Sequence, residues 1–469
     1  MKEATQLALD SHCAYGPILR SVIGTNKDVT VQPVLLVNLL SYMQALVSQG
    51  GSYTQLLMST YRKRPCARER RWRLILCGDE IVPGNVLAGR QERKAWTVYG
   101  AFIEYGSLVL QNDAAWLTLA LKRSGNVNIL SAGISQMVAL VLKNIMCRDD
   151  CDVPVAGFVL KYPDGTHVRI YIKFGMCLQD GAAHKLVLGL KGDSASKYCM
   201  LCKNEFRLHG SRDEREDSDE DVCFTVLKHC DMQLATDAEI LQSVDRLATR
   251  MTTCSLADFR LWERAAGFNY VPHGLLWDAQ IREANIMQPA SQYCHDWMHG
   301  TCSNGTMIKC IYALLTSLHR ANCNAWVLLR SFCALWVLPA HCNMKHLADL
   351  FSDKHVTSYK KNKRFSCTAS EALALYPIIA YFVHRIPMQS NIAMPQCKAF
   401  LAMCDVVDLM QCVVLGEVEP GHLMTAVECA LAAFVEAGWR EFMVKKFHWL
   451  LHLADQLRRF WILPPLCLV

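Results

Sequence analysis

The sequence has no long uninterrupted apolar run. Its longest apolar stretches, such as WVLLRSFCALWVLPA from Trp326, are broken by Arg330 or are too short to cross a bilayer as a clean helix, so no membrane anchor is expected. The amino terminus, MKEATQLALDSHC, lacks the apolar core of a secretory signal, and the 23 cysteines follow no regular framework. Both absences point to reduced thiols and an intracellular protein. There is no internal repeat, which sets repeat architectures aside. Neither sign of charge dominates: 49 Lys and Arg against 43 Asp and Glu leave a net charge of +6, which permits a nucleic-acid partner without requiring one.

What is present is apolar bulk. At 469 residues and 52% hydrophobic, the chain can bury a large core and is expected to divide into two or three domains. Charge is unevenly spread. Tyr61 to Arg73 reads YRKRPCARERRWR, a basic run with one Glu, which suits phosphate contacts; DEREDSDEDV from Asp213 reads as a solvated acidic loop.

The pattern along the chain falls into three regions: a helical lead-in over 1–65, an α/β core over 66–205, and a mainly helical region over 206–469. In the first, VLLVNLLSYMQALV from Val34 has helical spacing. In the second, WRLILCGDE from Trp72 reads as a buried strand that stops at two acids and a PGN turn. AWTVYGAFIEY from Ala95 and AAWLTLAL from Ala114 read as further strands. SAGISQMVALVLKNIM from Ser131 has helical length and a Ser-led start. VPVAGFVLKY and THVRIYIKFGMCL flank a Tyr162-Pro163-Asp164-Gly165-Thr166 turn and read as a hairpin. After Gln179-Asp180-Gly181, AAHKLVLGL has helix composition. Beyond Lys203 no segment reads convincingly as a strand.

Two acids stand at strand ends. Asp79 closes the first core strand and Asp180 a later one. Carboxylates at neighbouring strand ends can converge to hold divalent ions for phosphoryl transfer, although acids beside Gly or Pro are commonly solvated turn residues. Glu80 faces the other side of its strand. Asp193, in KGDSASK, competes with Asp180 as the second acid but lies in a Gly/Ser/Lys-rich loop.

Cys199-Met-Leu-Cys202 is a half-site for zinc, because two thiolates at this spacing can share one tetrahedral ion. Two His pairs with i, i+4 spacing are candidates to complete it: His448 and His452 in KKFHWLLHLADQL, and His295 and His299 in YCHDWMHG. The second includes Asp296, a His-Asp couple of the kind metal-dependent phosphohydrolases use.

An Asp after a first strand, an Asp after a later one, a CxxC shortly beyond, a helical insertion and then HxxxH together resemble the eukaryotic DDE-type transposases. This group has an RNase H-like core and includes CACTA-like and hAT-like elements and the transposon-derived V(D)J recombinase. CGDEIVPGN, KGDSASKYCMLCKN, HDWMH and KKFHWLLHLADQL are similar to blocks of such element proteins, and the separation of Asp180 from Cys199 favours Asp180 over Asp193. The resemblance implies an RNase H-like mixed sheet with a large helical insertion. It implies a structural Zn²⁺ on Cys199, Cys202, His448 and His452, with HDWMH an internal helix. Asp79 and Asp180 would hold catalytic Mg²⁺ or Mn²⁺, the ions activating water to cut DNA and then a 3′-hydroxyl to attack target DNA. Arg62, Lys63, Arg64, Arg68, Arg70, Arg71 and Arg73 would grip the DNA backbone. A nuclear protein that assembles with copies of itself is also implied.

The sequence departs from the family in one respect that bears on activity. The family carries a third acid, a Glu on a helix soon after the His pair. The segment after His452, LADQLRRFWILPPLCLV, has no Glu, and Asp455 lies within one turn of His452, where it would crowd the zinc. The expectation is therefore a chain that stops short of its third acid, with impaired cleavage and strand transfer. Nor is a separate amino-terminal zinc finger or helix-turn-helix evident. Three function classes follow: a metal-dependent transposase, a non-catalytic DNA-binding remnant of one, and a phosphohydrolase centred on His295, Asp296 and His299.

Overall fold

The structure, a computed structural model, describes residues 14–82, 93–206, 226–338 and 347–463, with the Asp193 side chain outside that description. Two compact units divide the chain. One holds the residues up to Lys203 together with Leu234–Cys294; the other holds Asn204–Gln233 together with the residues from His295 onward.

The first unit is built on sheets. Strands β1 (Leu19–Thr25) and β2 (Val31–Val37) form an antiparallel hairpin, followed by helices α1 (Leu39–Gln49) and α2 (Ser52–Lys63). The lead-in is thus not all helical. VLLVNLLSYMQALV contains both periodicities: Val34 and Leu36 alternate inward as strand residues, whereas Leu39, Leu40, Met43 and Val47 recur at helical spacing. Asn38 marks the change. Its side-chain amide donates to Tyr15 O at 2.7 Å, Pro17 O at 3.1 Å and Ser41 Oγ at 2.8 Å, fixing the chain where the strand ends.

Five strands make the main sheet, in the order β5-β4-β3-β8-β9: β3 (Trp72–Ile81), β4 (Ala95–Phe102), β5 (Leu117–Arg123), β8 (Ile172–Gln179) and β9 (Tyr293–His295). The sheet is mixed. Strand β3 pairs antiparallel with β4, β4 antiparallel with β5, and β3 parallel with β8. Its third-placed strand, β3, is buried from Leu74 to Gly78 because it has neighbours on both sides, which explains the near-continuous apolar run WRLILC. The run THVRIYIKFGMCL is two strands: β7 (His167–Ile170) pairs with β6 (Phe158–Lys161), and the chain breaks at Tyr171 before β8. The β3·β8 register shifts between Leu74 and Ile75, beside Gly175, where a Cβ would stand 2.5 Å from Arg73 Cβ. Strand β9 is an addition to the expected elements. At three residues it is too short to show a period in sequence.

Helix α3 (Gly133–Met146) runs against this sheet with twelve of its residues buried, and Ser135 Oγ donates to Val187 O at 2.6 Å. After β8, Asp180 caps helix α4 (Gly181–Val187). The unit is completed by α5 (Asp237–Thr253), which starts in a Thr236–Glu239 capping box, and α6 (Leu256–Ala266).

The second unit is helical. It contains α7 (Trp297–Thr301), α8 (Thr306–Arg320), α9 (Ala325–Ala334), α10 (Asp353–Lys361), α11 (Ala369–Arg385), α12 (Met394–Cys412), α13 (Pro420–Glu436) and α14 (Lys445–Phe460). Phe382, Phe400, Phe434 and Phe447 are fully buried in its core, and Phe434 packs on Phe447 at 4.5 Å and on Trp439 at 5.2 Å between ring centres. Lys446 Nζ donates to the carbonyls of His299, Ser303 and Asn304 at 2.9, 2.9 and 3.0 Å, satisfying acceptors where α7 ends. No helix among the described residues is long and apolar enough to cross a membrane.

His184, on α4, is buried and stacks on Tyr293 of β9 with ring centres 4.0 Å apart, and its Nε2 lies 3.3 Å from Cys177 O. Burial brings its pKa from 6.5 down to about 3, against a smaller upward pull from the Cys177 carbonyl. The unfolded chain therefore binds a proton that the folded chain refuses. Stability from this group is full above pH 6.5 and falls as pH drops from there towards about 3. In urea titrations from pH 7 to 4, the wild-type chain is expected to lose stability more steeply than His184→Phe; parallel pH curves would show that the folded chain protonates His184 as readily as the unfolded chain does.

Candidate metal centre

Cys199 and Cys202 bracket a turn at Met200 and Leu201. The turn is held from outside by main-chain pairing: Cys202 bridges to Leu234, and Ala235 N donates to Leu201 O at 2.8 Å. The two thiols are buried at 3% and 0% exposure, as CxxC thiols must be to form a closed structural site.

His448 and His452 stand one turn apart on α14. This helix forms because Phe447, Leu450, Leu451, Ala454 and Leu457 line one broad apolar face, and Arg458 and Arg459 in its last turn suit the negative end of the helix dipole. The two imidazoles share that buried face, with Nε2 atoms 3.0 Å apart.

One donor atom from each of Cys199, Cys202, His448 and His452 lies within 4.8 Å of all the others, and all four residues are buried. Four ligands at Zn–S of about 2.3 Å and Zn–N of about 2.0–2.1 Å stand roughly 3.3–3.8 Å from one another around a tetrahedron, so this spacing needs only small adjustments. Two thiols with two imidazoles are the donor set zinc prefers, whereas a hard cation such as Mg²⁺ takes oxygen. The residues fit Zn²⁺. Among the described residues no other group of three or more His, Cys, Asp or Glu side chains gathers this closely. Between the two His pairs open in the sequence, His448 and His452 are the pair that meets the CxxC.

Two polar neighbours tune the cluster. Glu205 is fully buried, with its Oε2 3.7 Å from Nδ1 of His448. Burial pulls the Lys197 ammonium below its ordinary value, while Cys199 and Cys202 pull it back up. Sequence reasoning missed Glu205. The only signal was an acid three residues past a CxxC, which by itself says nothing.

His295 and His299 do not share a helix face, contrary to their i, i+4 spacing. His295 ends β9, Asp296 is the N-cap, and only Trp297–Thr301 is helical. Asp296 accepts from Met298 N at 3.0 Å and also bonds His299 Nδ1, a local capping arrangement. The His295 ring stacks on Trp449 with centres 4.7 Å apart, and its backbone N–H donates to Gln456 Oε1.

Asp79 and Asp180 lie at the same end of adjacent parallel strands. The last β3·β8 pair is Cys77 with Leu178, and Gly78 N donates to Gln179 Oε1 at 2.9 Å, so each aspartate follows two residues beyond a paired position. Asp79 is still in the β4 ladder, opposite Thr97, whereas Glu80 pairs with Lys94 at 3.3 Å. Asp180 Oδ1 accepts from Ala183 N at 2.5 Å, so one carboxylate oxygen is engaged in capping α4. The Asp193 side chain lies outside the described residues. Asp455 bonds His229 at 2.5 Å and Arg458 at 2.7 Å.

The basic run lies at the other end of the sheet. Arg73 is the second residue of β3, six residues before Asp79 and on the order of 20 Å away along the strand. Arg62, Lys63, Arg64, Arg68 and Arg70 are exposed and Arg71 is half-buried. Arg64 donates to the Ile103 and Glu104 carbonyls, and Arg73 Nε pairs with Glu104 at 3.0 Å. Lys173, opposite Arg73 on β8, joins this positive group; burial, then Arg71 and Arg73, lower its pKa.

No family model matches the chain, and no curated protein matches it.

The purified chain is expected to retain about one zinc per molecule by elemental analysis, and Cys199→Ser, Cys202→Ser, His448→Ala or His452→Ala to abolish it. Loss of a structural metal belongs to the most destabilising class of change, about 4 kcal/mol or more. Asp79→Asn leaves the zinc in place. Full zinc retention in the four ligand variants would rule the cluster out as a zinc site.

Proposed function

We propose that this chain is derived from a DDE-type DNA transposase with an RNase H-like core, and that its 469 residues bind DNA with little or no cleavage of their own. One observation carries the proposal: the CxxC and the HxxxH, some 250 residues apart in sequence, meet in one buried Cys₂His₂ cluster, as the family pattern requires. The mixed five-stranded sheet and the large helical region are consistent with it.

In this reading Zn²⁺ on Cys199, Cys202, His448 and His452 is structural: four protein ligands leave no open position for substrate. Asp79 and Asp180, at the ends of adjacent parallel strands, supply two carboxylates. A divalent ion bound there would polarise a phosphoryl oxygen and lower the pKa of bound water. Mg²⁺ is commonly held by one or two carboxylates with substrate phosphates completing its shell, so the pair suits an ion that arrives with DNA. Asp455, the acid that follows the His pair, is committed to His229 and Arg458 and does not supply a third carboxylate. Non-catalytic DNA binding is the reading we favour over cutting.

The exposed members of the basic run, Arg62, Lys63, Arg64, Arg68 and Arg70, would contact backbone phosphates, with Arg71 at their margin. Arg73, bound to Glu104, would instead hold the start of β3. The phosphohydrolase alternative draws no support from the placement of His295, Asp296 and His299.

Fluorescence anisotropy with duplex DNA tests the proposal. Affinity is expected to fall with salt, with a log–log slope of roughly 0.9 per phosphate contact. Reversing Arg62, Lys63, Arg68 and Arg70 to Glu should weaken binding by about tenfold or more in ~0.1 M salt and flatten that slope. On supercoiled plasmid with Mn²⁺, nicking should be no more than a trace that disappears in Asp79→Asn and Asp180→Asn. Binding indifferent to both salt and charge reversal would sink the proposal, and robust nicking that survives loss of both aspartates would place the chemistry elsewhere.

A further inference from the structure

We infer that Glu205 is the positioning residue of the metal centre: it fixes the ring of His448 so that Nε2 faces the metal. The inference rests on the zinc reading above and extends it to a residue outside the ligand set. His448 presents its two ring nitrogens to two different partners. Nε2 is 3.0 Å from His452 Nε2, on the side of the cluster, while Nδ1 is 3.7 Å from Glu205 Oε2. A neutral imidazole carries its proton on one nitrogen and a lone pair on the other. A carboxylate beside Nδ1 favours the proton there, which leaves the Nε2 lone pair for the ion. Metal-bound histidines are commonly oriented in this way by a carboxylate on the far nitrogen.

Glu205 is built into place and is not a surface acid that happens to lie nearby. Both it and His448 have no exposed side-chain surface. Its other oxygen, Oε1, accepts from Val226 N at 3.3 Å. The preceding residue is pinned as well: Asn204 donates to Asp231 O at 2.9 Å and accepts from Gln233 N at 3.0 Å. A carboxylate at zero exposure is expensive to desolvate, and it persists where a polarised N–H or a cation repays the cost. His448 bound to a dication offers such an N–H. Glu205 is not itself a ligand, since its carboxylate addresses Nδ1 and stays outside the four-atom group.

The test uses the full chain as wild type, Glu205→Gln and Glu205→Ala. Zn²⁺ affinity is measured by competition with a chromophoric chelator, the ligand set is read from the Co²⁺ spectrum, and the urea midpoint is taken with and without metal. Gln keeps the shape and an acceptor oxygen but loses the charge. Both variants are expected to bind zinc roughly 10–100-fold more weakly. Co²⁺ should keep a tetrahedral, thiolate-rich spectrum, because all four ligands remain. The metal-free midpoint should be unchanged or raised in Glu205→Gln, which removes the cost of burying a carboxylate. In a His448→Ala background, Glu205→Gln should change residual affinity by less than about twofold, because the residue acts through that ring. Zinc affinity within twofold of wild type in both single variants overturns the inference, as does an equal loss of stability with and without metal, which marks a packing role alone. A wild-type chain that takes up no zinc overturns the metal reading and this inference together; zinc uptake indifferent to Glu205 overturns only the inference.

Discussion

The parallel pairing of β3 with β8 is the constraint on which the rest of the first unit depends. It joins residues about a hundred positions apart, so the pairing must offset the entropy lost in closing that long loop. Strand β3 also carries the antiparallel β4 and β5, and β8 carries β9 on its far side. Where the pairing stops, the two aspartates follow at matched positions. Asp180 then opens α4, α4 buries His184 against Tyr293, and the segment leading to Cys199 follows. A slip of one residue would break the matched placement of Asp79 and Asp180 and turn the strand's inward side chains to the other face. The buried bond from Gly78 N to Gln179 Oε1 opposes such a slip, because moving it would strand both groups without partners away from water.

Much of this was legible in the sequence, and the parts that were not share a cause. The core strands from Trp72 and Ala95 and the helix after Ser131 show because each is a long apolar run, and the turn at Tyr162–Thr166 because its Pro-Asp-Gly suits a tight reversal. The stretch from Val34 misleads because a strand and a helix meet inside one apolar run, and an average over the window sees the helix alone. The run from Thr166 hides a change of partner at Tyr171, where the residues remain strand-like on both sides. Strand β9 exists because β8 offers it an edge, a tertiary fact with no local signature. The spacing that gave HxxxH on α14 its meaning was equally present in HDWMH, where an aspartate with a better claim to be an N-cap moved His295 out of the helix. Glu205 was illegible for a different reason: its role depends on which nitrogen of a distant ring it meets.

The charges of the first unit are separated along the strands of its sheet. Carboxylates sit where β3 and β8 end; arginines and a lysine sit where they begin. Arg71, Arg73 and Lys173 crowd one another, and the lowered pKa of Lys173 follows from burial beside two positive neighbours. Glu104 offsets part of this charge, by pairing with Arg73 and by pulling the Lys173 pKa partly back up. The remaining positive charge is on exposed side chains, where water screens it and a polyanion can displace counterions. With ~20 Å between the two ends, a duplex held by the basic end does not by that contact present its phosphates to the carboxylates. On the proposed reading, DNA grip and divalent-metal binding would therefore be separable, and loss of one need not abolish the other.

The metal centre has a corresponding asymmetry. His448 and His452 come from one regular helix, favoured by its apolar face and its terminal arginines, so their spacing is set by the helix itself. Cys199 and Cys202 come from a turn with no regular secondary structure, tied down by a bridge to Leu234 and one bond from Ala235. Folding free energy contributed by an ion goes mostly to whatever the ion must order. On the zinc reading that would be the turn at Cys199–Cys202, with the helix supplying geometry and the ion supplying order to the loop. The role proposed for Glu205 adds a buried carboxylate that orients the His448 ring from outside the ligand set.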